Sequence, residues 1–267
     1  DDCRLVMHVI KKANDLGAAV ANRVAARGCV MREGRIAGVR AFDSVEASFL
    51  EISARRVVNA TGVSCDAVRT LEDPSSRPVV RPSKGVHLVV RRERLGNRGA
   101  AILQSPSDGR VIFLIPWDRM TIVGTTDTDF TGDIDRPRCE PEDVRYLLDL
   151  VNEHLPSVRL SVDDVVAVYA GLRPLLRDDS PVPSKASREH HLFESDAGLV
   201  TITGGKLTTY RRMAKQVVDR ISPRTRCRTR NVELFAATVP PARVPTDMGA
   251  HLLRAYGSEA AGIAARQ

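Results

Sequence analysis

Aromatic side chains make up only 4% of the 267 residues, and lysine is scarcer still, six lysines standing against 34 arginines. A surface that stacks nucleic-acid bases needs aromatic rings interleaved with its basic residues. No stretch here has that pattern, and no nucleic-acid partner is expected. No apolar run approaches the ~20 residues of a membrane-spanning helix; the longest is about the size of Val165–Leu172. The five cysteines (3, 29, 65, 139 and 227) never form C-x-x-C. Their odd number fits reduced thiols of a cytosolic protein, with no disulfide framework and no zinc ribbon. G-x-G-x-x-G is missing too, so by motif alone the chain lacks a dinucleotide-binding fingerprint.

What is present is globular: 43% hydrophobic and 27% charged residues exclude disorder as an overall description. The formal net charge of +7 comes mostly from arginines spread over the whole length. One cluster stands out, Arg220, Arg224, Arg226, Arg228 and Arg230, in a stretch containing Pro and Thr. It reads as a solvated linker, with contact to an anionic lipid or nucleic acid as the alternative, weakened by the lack of an interleaved aromatic residue.

Hydrophobic periodicity orders the chain. Leu5, Val6, Val9, Ile10 and Ala13 predict a first helix, with Gly17 as its C-cap. Strands are predicted over 19–31, 36–42 and 47–53, with a hairpin turn at Arg32-Glu33-Gly34-Arg35. A short strand at 56–59 runs into Ala60-Thr61-Gly62 and a helix reaching Leu71. Residues 73–82, with three prolines, read as a connection. A second set of strands follows at 86–92, 101–104, 111–116 and 121–125. Glu140-Pro141-Glu142-Asp143 opens a helix whose one face carries Val144, Leu147, Leu148 and Val151. Further strands at 164–172 and 199–203 precede Gly204-Gly205 and a helix over 207–221, and another helix starts near Met248. The pattern predicts a strand-rich α/β (α+β mixed) protein with two sheets that alternate along the chain, as two interwoven domains would.

Four constellations carry chemistry. Gly204-Gly205-Lys206-Leu207-Thr208 at a strand-to-helix junction offers close backbone approach, helix N–H groups and a cation to an anionic ligand. It is not a P-loop, which needs Gly at Val200 and Ser or Thr at Leu207. Asp127 to Asp135 nearly matches a calcium-binding loop, but Arg138 stands where the bidentate Glu belongs. It reads instead as a turn whose Asp and Thr side chains cap backbone groups, and no metal is expected. Arg173 ends an apolar strand ahead of Pro174, where a guanidinium fork suits phosphate or carboxylate, or pairs with Asp178 or Asp179. His87 lies one residue into a strand after a glycine turn; alone, such a histidine is ordinary. The Arg188-Glu189-His190-His191 run is too common a pattern to mean metal.

Six motifs, taken together and in order, resemble one family. They are Val57-Val58-Asn59-Ala60-Thr61-Gly62, Arg81-Pro82-Ser83-Lys84-Gly85-Val86-His87, Ile115-Pro116-Trp117, Gly124-Thr125-Thr126-Asp127-Thr128-Asp129, Ala170-Gly171-Leu172-Arg173-Pro174-Leu175 and Gly204-Gly205-Lys206-Leu207-Thr208-Thr209-Tyr210-Arg211. The chain resembles the FAD-dependent, quinone-linked glycerol-3-phosphate dehydrogenases from about residue 1 to 221. The resemblance implies a partial glutathione-reductase-type FAD domain over 1–75, a substrate-binding sheet domain over 76–195, a return to the FAD domain over 196–222, and a linker with the start of a helical cap over 223–267. It also implies that the glycine fingerprint lies upstream, so that this chain is the middle of a longer enzyme and holds no flavin by itself. Ala60, Thr61 and Gly62 are then FAD contacts, although Val63-Ser64-Cys65 replaces the family's usual Pro-Trp continuation. Gly204, Gly205, Lys206, Leu207 and Thr208 are flavin contacts. Arg173, Arg188, Lys206 and Thr208 are implied to meet the substrate, and His87 to take its C2 hydroxyl proton, with Arg173 and Lys206 as catalytic partners. The implied reaction is oxidation of sn-glycerol 3-phosphate with FAD as cofactor and quinone as acceptor, in a cytoplasmic, peripherally membrane-associated protein. An oxidase that uses oxygen, or a non-catalytic fragment, are the alternatives.

Overall fold

A computed structural model of the chain describes residues 2–177, 189–234, 250–253 and 256–266. They fall into two compact units, residues 1–24 with 222–267 and residues 25–221. The first unit holds α1 (Asp2–Asp15) and, near the C-terminus, α6 (Ala260–Ala264). Gly17 closes α1 at φ +95°, the left-handed cap expected of it. Lys11 pairs with Glu259 at 3.6 Å. The helix expected from Met248 falls partly outside the described residues; 250–253 are helical.

The second unit contains, in chain order, β1 (Val24–Arg32), β2 (Arg35–Asp43), β3 (Ser48–Ser53), β4 (Val57–Asn59), α2 (Cys65–Glu72), β5 (Val80–Arg91), α3 (Arg92–Leu95), β6 (Ala101–Gln104), β7 (Val111–Trp117), β8 (Met120–Gly124), β9 (Thr128–Asp129), α4 (Pro141–His154), β10 (Val165–Leu176), β11 (His190–Glu194), β12 (Leu199–Gly204) and α5 (Tyr210–Ile221). They build three sheets, not two, among the described residues: a β1-β2-β3 meander, a larger sheet ordered β10-β5-β8-β7-β6 with β9 also on β5, and β11-β12-β4. The meander separates because its first turn, Glu33-Gly34 at φ 50° and 76°, is a tight two-residue hairpin matched to strand twist. β12 runs parallel to β4, while β11 adds antiparallel to β12 over His190–Glu194, a strand that the histidine-rich sequence did not suggest.

The larger sheet departs most from expectation. β5 starts at Val80 rather than Val86, and β10 runs on to Leu176 rather than stopping at Leu172. Pro82 and Pro174 disguise both extensions, because proline normally ends a strand. Pro82 still accepts the Phe130 N–H at 3.1 Å through its carbonyl, and Pro174 lies on β10, the end strand of the sheet order, where a missing donor is tolerated. Gly85 is therefore no turn, His87 is mid-strand, and Arg173 lies inside its strand opposite Ser83.

One face of this sheet is dry. Val86, Leu88 and Val90 of β5, with Ile112 and Leu114 of β7, pack on Leu147, Leu148 and Val151 of α4. The N-terminus of α4 is held by a capping box between Glu140 and Asp143. Asp143 also accepts a hydrogen bond at 2.6 Å from Lys84 of β5, with both side chains nearly buried. On the opposite face, Ile102, Phe113, Ile115 and Trp117 are exposed beside the odd-numbered residues of β5. Lys84→Met strands a buried carboxylate and is expected to cost roughly 3–5 kcal/mol in urea unfolding, whereas Lys84→Met with Asp143→Leu recovers most of that loss.

Candidate functional site

The outer face of β5 and β10 brings together two of the predicted site residues, Arg173 and His87, by register alone. Arg173 stands opposite Ser83, Gly171 opposite Gly85, and Tyr169 opposite His87. The His87 ring stacks on Tyr169, centroids 4.7 Å apart and planes 12° apart. It can lie flat because its neighbour on β8 is Gly124, where a Cβ would stand 2.5 Å from His87 Cδ2. Arg173 donates from Nη2 to Thr125 Oγ1 at 3.0 Å, and from Nη1 to Thr126 O at 3.3 Å and Asp127 Oδ1 at 3.4 Å. Asp127 Oδ1 also accepts a hydrogen bond from Ser83 Oγ. Asp178 and Asp179, the alternative partners for Arg173, lie outside the described residues, as does Arg188.

The Asp-rich turn after β8 only partly behaves as expected. Asp133 Oδ1 accepts the N–H of Asp135, and Thr126 Oγ1 accepts that of Val86. Asp129, however, takes a fork from Arg81, Nε at 2.6 Å and Nη2 at 2.7 Å, which holds its carboxyl below the ordinary range. Asp127 and Asp129 thus pair with side chains, because β5 reaches them with Ser83 and Arg81, whereas Asp133 caps the backbone as expected. Among the described residues, no group of His, Cys, Asp and Glu is arranged to hold a metal ion.

The two glycine turns leave the same end of the third sheet, since β4 and β12 are parallel. The carboxyl end of parallel strands is where such sheets present ligands. After β4, buried Asn59 pins the Ala60-Thr61-Gly62 turn. Its Oδ1 accepts Thr61 Oγ1–H at 2.7 Å and Thr61 N–H at 3.3 Å, and its Nδ2 donates to Cys65 O at 3.0 Å. Burial there pushes the Cys65 thiol pKa up, which makes it a packing group. After β12, Gly204 and Gly205 adopt φ 77° and 78°. A Cβ on Gly204 would stand 2.6 Å from Glu189 O, so glycine answers both the left-handed backbone and the close approach. Lys206, Leu207 and Thr208 follow as exposed residues ahead of α5.

β10 joins the two groups of residues. Pro174, next to Arg173, shares the wall of an apolar cavity of about 660 Å³ with Ala60, Gly204, Lys206 and Leu207. A Cβ at Gly62 would sit 4.0 Å from Pro174 Cγ, and one at Gly204 3.2 Å from Leu176 Cγ. His190 hydrogen-bonds Gln216 and lines a second cavity of about 480 Å³ on Gly205, Lys206 and Arg212.

The sequence matches the family model described as FAD dependent oxidoreductase over residues 1–211. This chain belongs to that FAD-dependent oxidoreductase family. It is 36% identical over 225 residues to the aerobic glycerol-3-phosphate dehydrogenase of Staphylococcus haemolyticus, which covers 84% of this chain and 40% of the relative. It is 34% identical to the alpha-glycerophosphate oxidase of Streptococcus pneumoniae, covering 83% of this chain and 45% of the relative. A solved structure, the glycerol-3-phosphate dehydrogenase from Bacillus halodurans complexed with FAD, superposes with a TM-score of 0.77 at 39% identity, over 86% of this chain and 45% of that one. The chain thus spans less than half the length of these relatives.

For an FAD-dependent oxidoreductase the two turns fit their expected cofactor. Gly204 and Gly205 expose backbone at a bend that a side chain would obstruct, and a single helical turn over Leu207–Thr209 follows it into α5, so that the first N–H groups of that turn face the bend's end of the helix. Ala60, Thr61 and Gly62 form a second bend held open by Asn59. Sequence reasoning gave no site role to Tyr169, Gly124, Ser83 or Asn59, and it read Gly85 as a turn and Asp127 as a backbone cap. The available signal was glycine inside apolar strand patterns, which marks close approach of another group. Asn59→Ala leaves the Thr61 N–H and Cys65 O without their partner and should lower stability by about 1–3 kcal/mol in urea unfolding, with weaker flavin retention in the cofactor-loaded protein.

Proposed function

We propose that this chain supplies the substrate-binding sheet and part of the flavin cradle of an enzyme that oxidises sn-glycerol 3-phosphate at C2 to dihydroxyacetone phosphate. The observation that carries this reading is β10, which sets Arg173 beside the His87 row and Pro174 in the wall of Gly204 and Lys206. The names of the relatives supply the substrate. Arg173 binds the phosphate, with Lys206 and Thr208 adding charge and hydrogen bonds, and Arg188 a second guanidinium. His87, its ring plane held by Tyr169 and Gly124, accepts the C2 hydroxyl proton. The α5 N-terminus and Lys206 stabilise negative charge near the Gly204-Gly205 bend. FAD, when bound, supplies the acceptor for the hydride that leaves C2. In this reading residues 1–75 and 196–222 serve the cofactor, 76–195 the substrate, and 223–267 begin the cap.

Quinone is the proposed electron acceptor. A relative named an oxidase matches at comparable identity, so oxygen is the second reading. The flavin-loaded protein, given glycerol 3-phosphate, should reduce a quinone faster than it releases hydrogen peroxide; the reverse result assigns it to the oxidases. Arg173→Ala should lower kcat/KM roughly 100-fold, mostly through KM, and an unchanged KM would remove Arg173 from the site.

The proposed location is cytoplasmic, with peripheral contact to an anionic membrane through the exposed Arg224, Arg226, Arg228 and Arg230. Arg220 donates to Glu194 at 3.1 Å. No helix among the described residues is long and apolar enough to cross a membrane. Replacing the four exposed arginines by glutamine should weaken sedimentation with phosphatidylserine vesicles; unchanged binding would discard this contact.

A further inference from the structure

Arg173 reaches its place by leaning along its strand. Its own register row pairs it with Ser83, and the next row on that face pairs Gly171 with Gly85. Two glycines facing each other leave a bare strip of sheet between the Arg173 row and the His87–Tyr169 row. The guanidinium fills the Gly85 side of it, where a Cβ would stand 2.4 Å from Nη2, 2.6 Å from Nη1 and 2.7 Å from Cζ, while a Cβ at Gly171 would meet nothing within 4 Å. Gly85 is buried within a regular strand and has no left-handed φ, so its backbone would accept an alanine. The three atoms nearest to a side chain placed there all belong to the Arg173 head. Asp127 holds that head from one edge with Oδ1, itself fixed by Ser83, and Thr125 holds Nη2.

The consequence is geometric. Lying over Gly85, the cationic head is one two-residue step, about 7 Å along the strand, from the His87 row. A short phosphate ester can then meet the cation with its phosphate while its carbinol faces the imidazole. An Arg173 displaced from this strip keeps its charge but loses that spacing. We propose that Gly85 and Asp127 are positioning residues for phosphate recognition: the missing Gly85 side chain is the seat of the Arg173 guanidinium, and Asp127 is its clamp. The proposal rests on Arg173 being a substrate contact.

The test is a double-mutant cycle in the flavin-loaded protein, with steady-state kinetics on glycerol 3-phosphate for Gly85→Ala, Arg173→Ala and both together. Gly85→Ala should raise KM about 10- to 100-fold with a smaller change in kcat, while flavin content holds and the melting temperature is unchanged or raised. Added to Arg173→Ala, it should change nothing further, because its effect passes through that side chain. An unchanged KM for Gly85→Ala, or an equal loss in the Arg173→Ala background, overturns the proposal. No effect of Arg173→Ala itself overturns instead the assignment of Arg173 to the substrate. If Gly85→Ala fails to accumulate as folded protein, Asp127→Asn takes its place in the same cycle. It should raise KM and lose that effect when Arg173 is absent; an effect that survives without Arg173 refutes the clamp.

Discussion

The antiparallel pairing of β5 with β10 is the constraint on which the rest depends. It holds from Val80 against Leu176 through to the bulge near Val165, and it makes residues of like parity share a face. Moving the register by one residue would turn His87, Gly85 and Ser83 into the α4 core and bring Val86 and Leu88 to the surface. The dry core therefore enforces the polar face: burial of Val86, Leu88 and Val90 against α4 specifies where Arg173, Tyr169 and His87 stand. The buried Lys84–Asp143 pair works in the same direction, since it is satisfied only when β5 meets the start of α4 in this register.

Within that frame, the absence of side chains does as much as their presence. Gly124 lets the His87 ring lie parallel to Tyr169, and Gly85 opens the strip in which Arg173 rests. In the cofactor turns, Gly204 gives the bend and the close approach to Glu189 O. Rigid strands with selected gaps hold reactive side chains more tightly than loops would, which suits chemistry that needs a cation and a base at fixed spacing. Pro174 then links the substrate strand to the cavity at Gly204 and Lys206, so that one element spans both halves of the site.

Much of the fold was legible. The α4 face of Leu147, Leu148 and Val151 and the β12–Gly204–α5 junction follow from periodicity and turn chemistry and are found where expected, as is the meander, except that its first strand begins at Val24 rather than at residue 19. The misreadings share a cause. Pro82, Gly85 and Pro174 look like strand breakers, so both long strands were cut short, and Arg173 and His87 were placed at strand ends. Pro174 is tolerated because β10 is the edge of its sheet and Pro82 because its carbonyl still takes the Phe130 N–H, and glycine because a guanidinium replaces the missing packing. None of these compensations is local, and no window of sequence contains both partners.

The sequence by itself determined the residue types and their order: six motifs sufficient to mark a flavin-linked oxidoreductase family, an arginine and a histidine apt for a phosphate and a hydroxyl, and glycines at two strand-to-helix turns. These are properties of local chemistry, readable from neighbours in the chain. Only the tertiary structure decided that Arg173 lies on Gly85, that Asp127 is among its partners, and that Tyr169 carries the His87 ring. Those contacts join residues 46 to 88 positions apart, brought together by strand register and by burial of the opposite sheet face. Register is a collective outcome of the packed core, and so the geometry of the site became visible only when that core was in place.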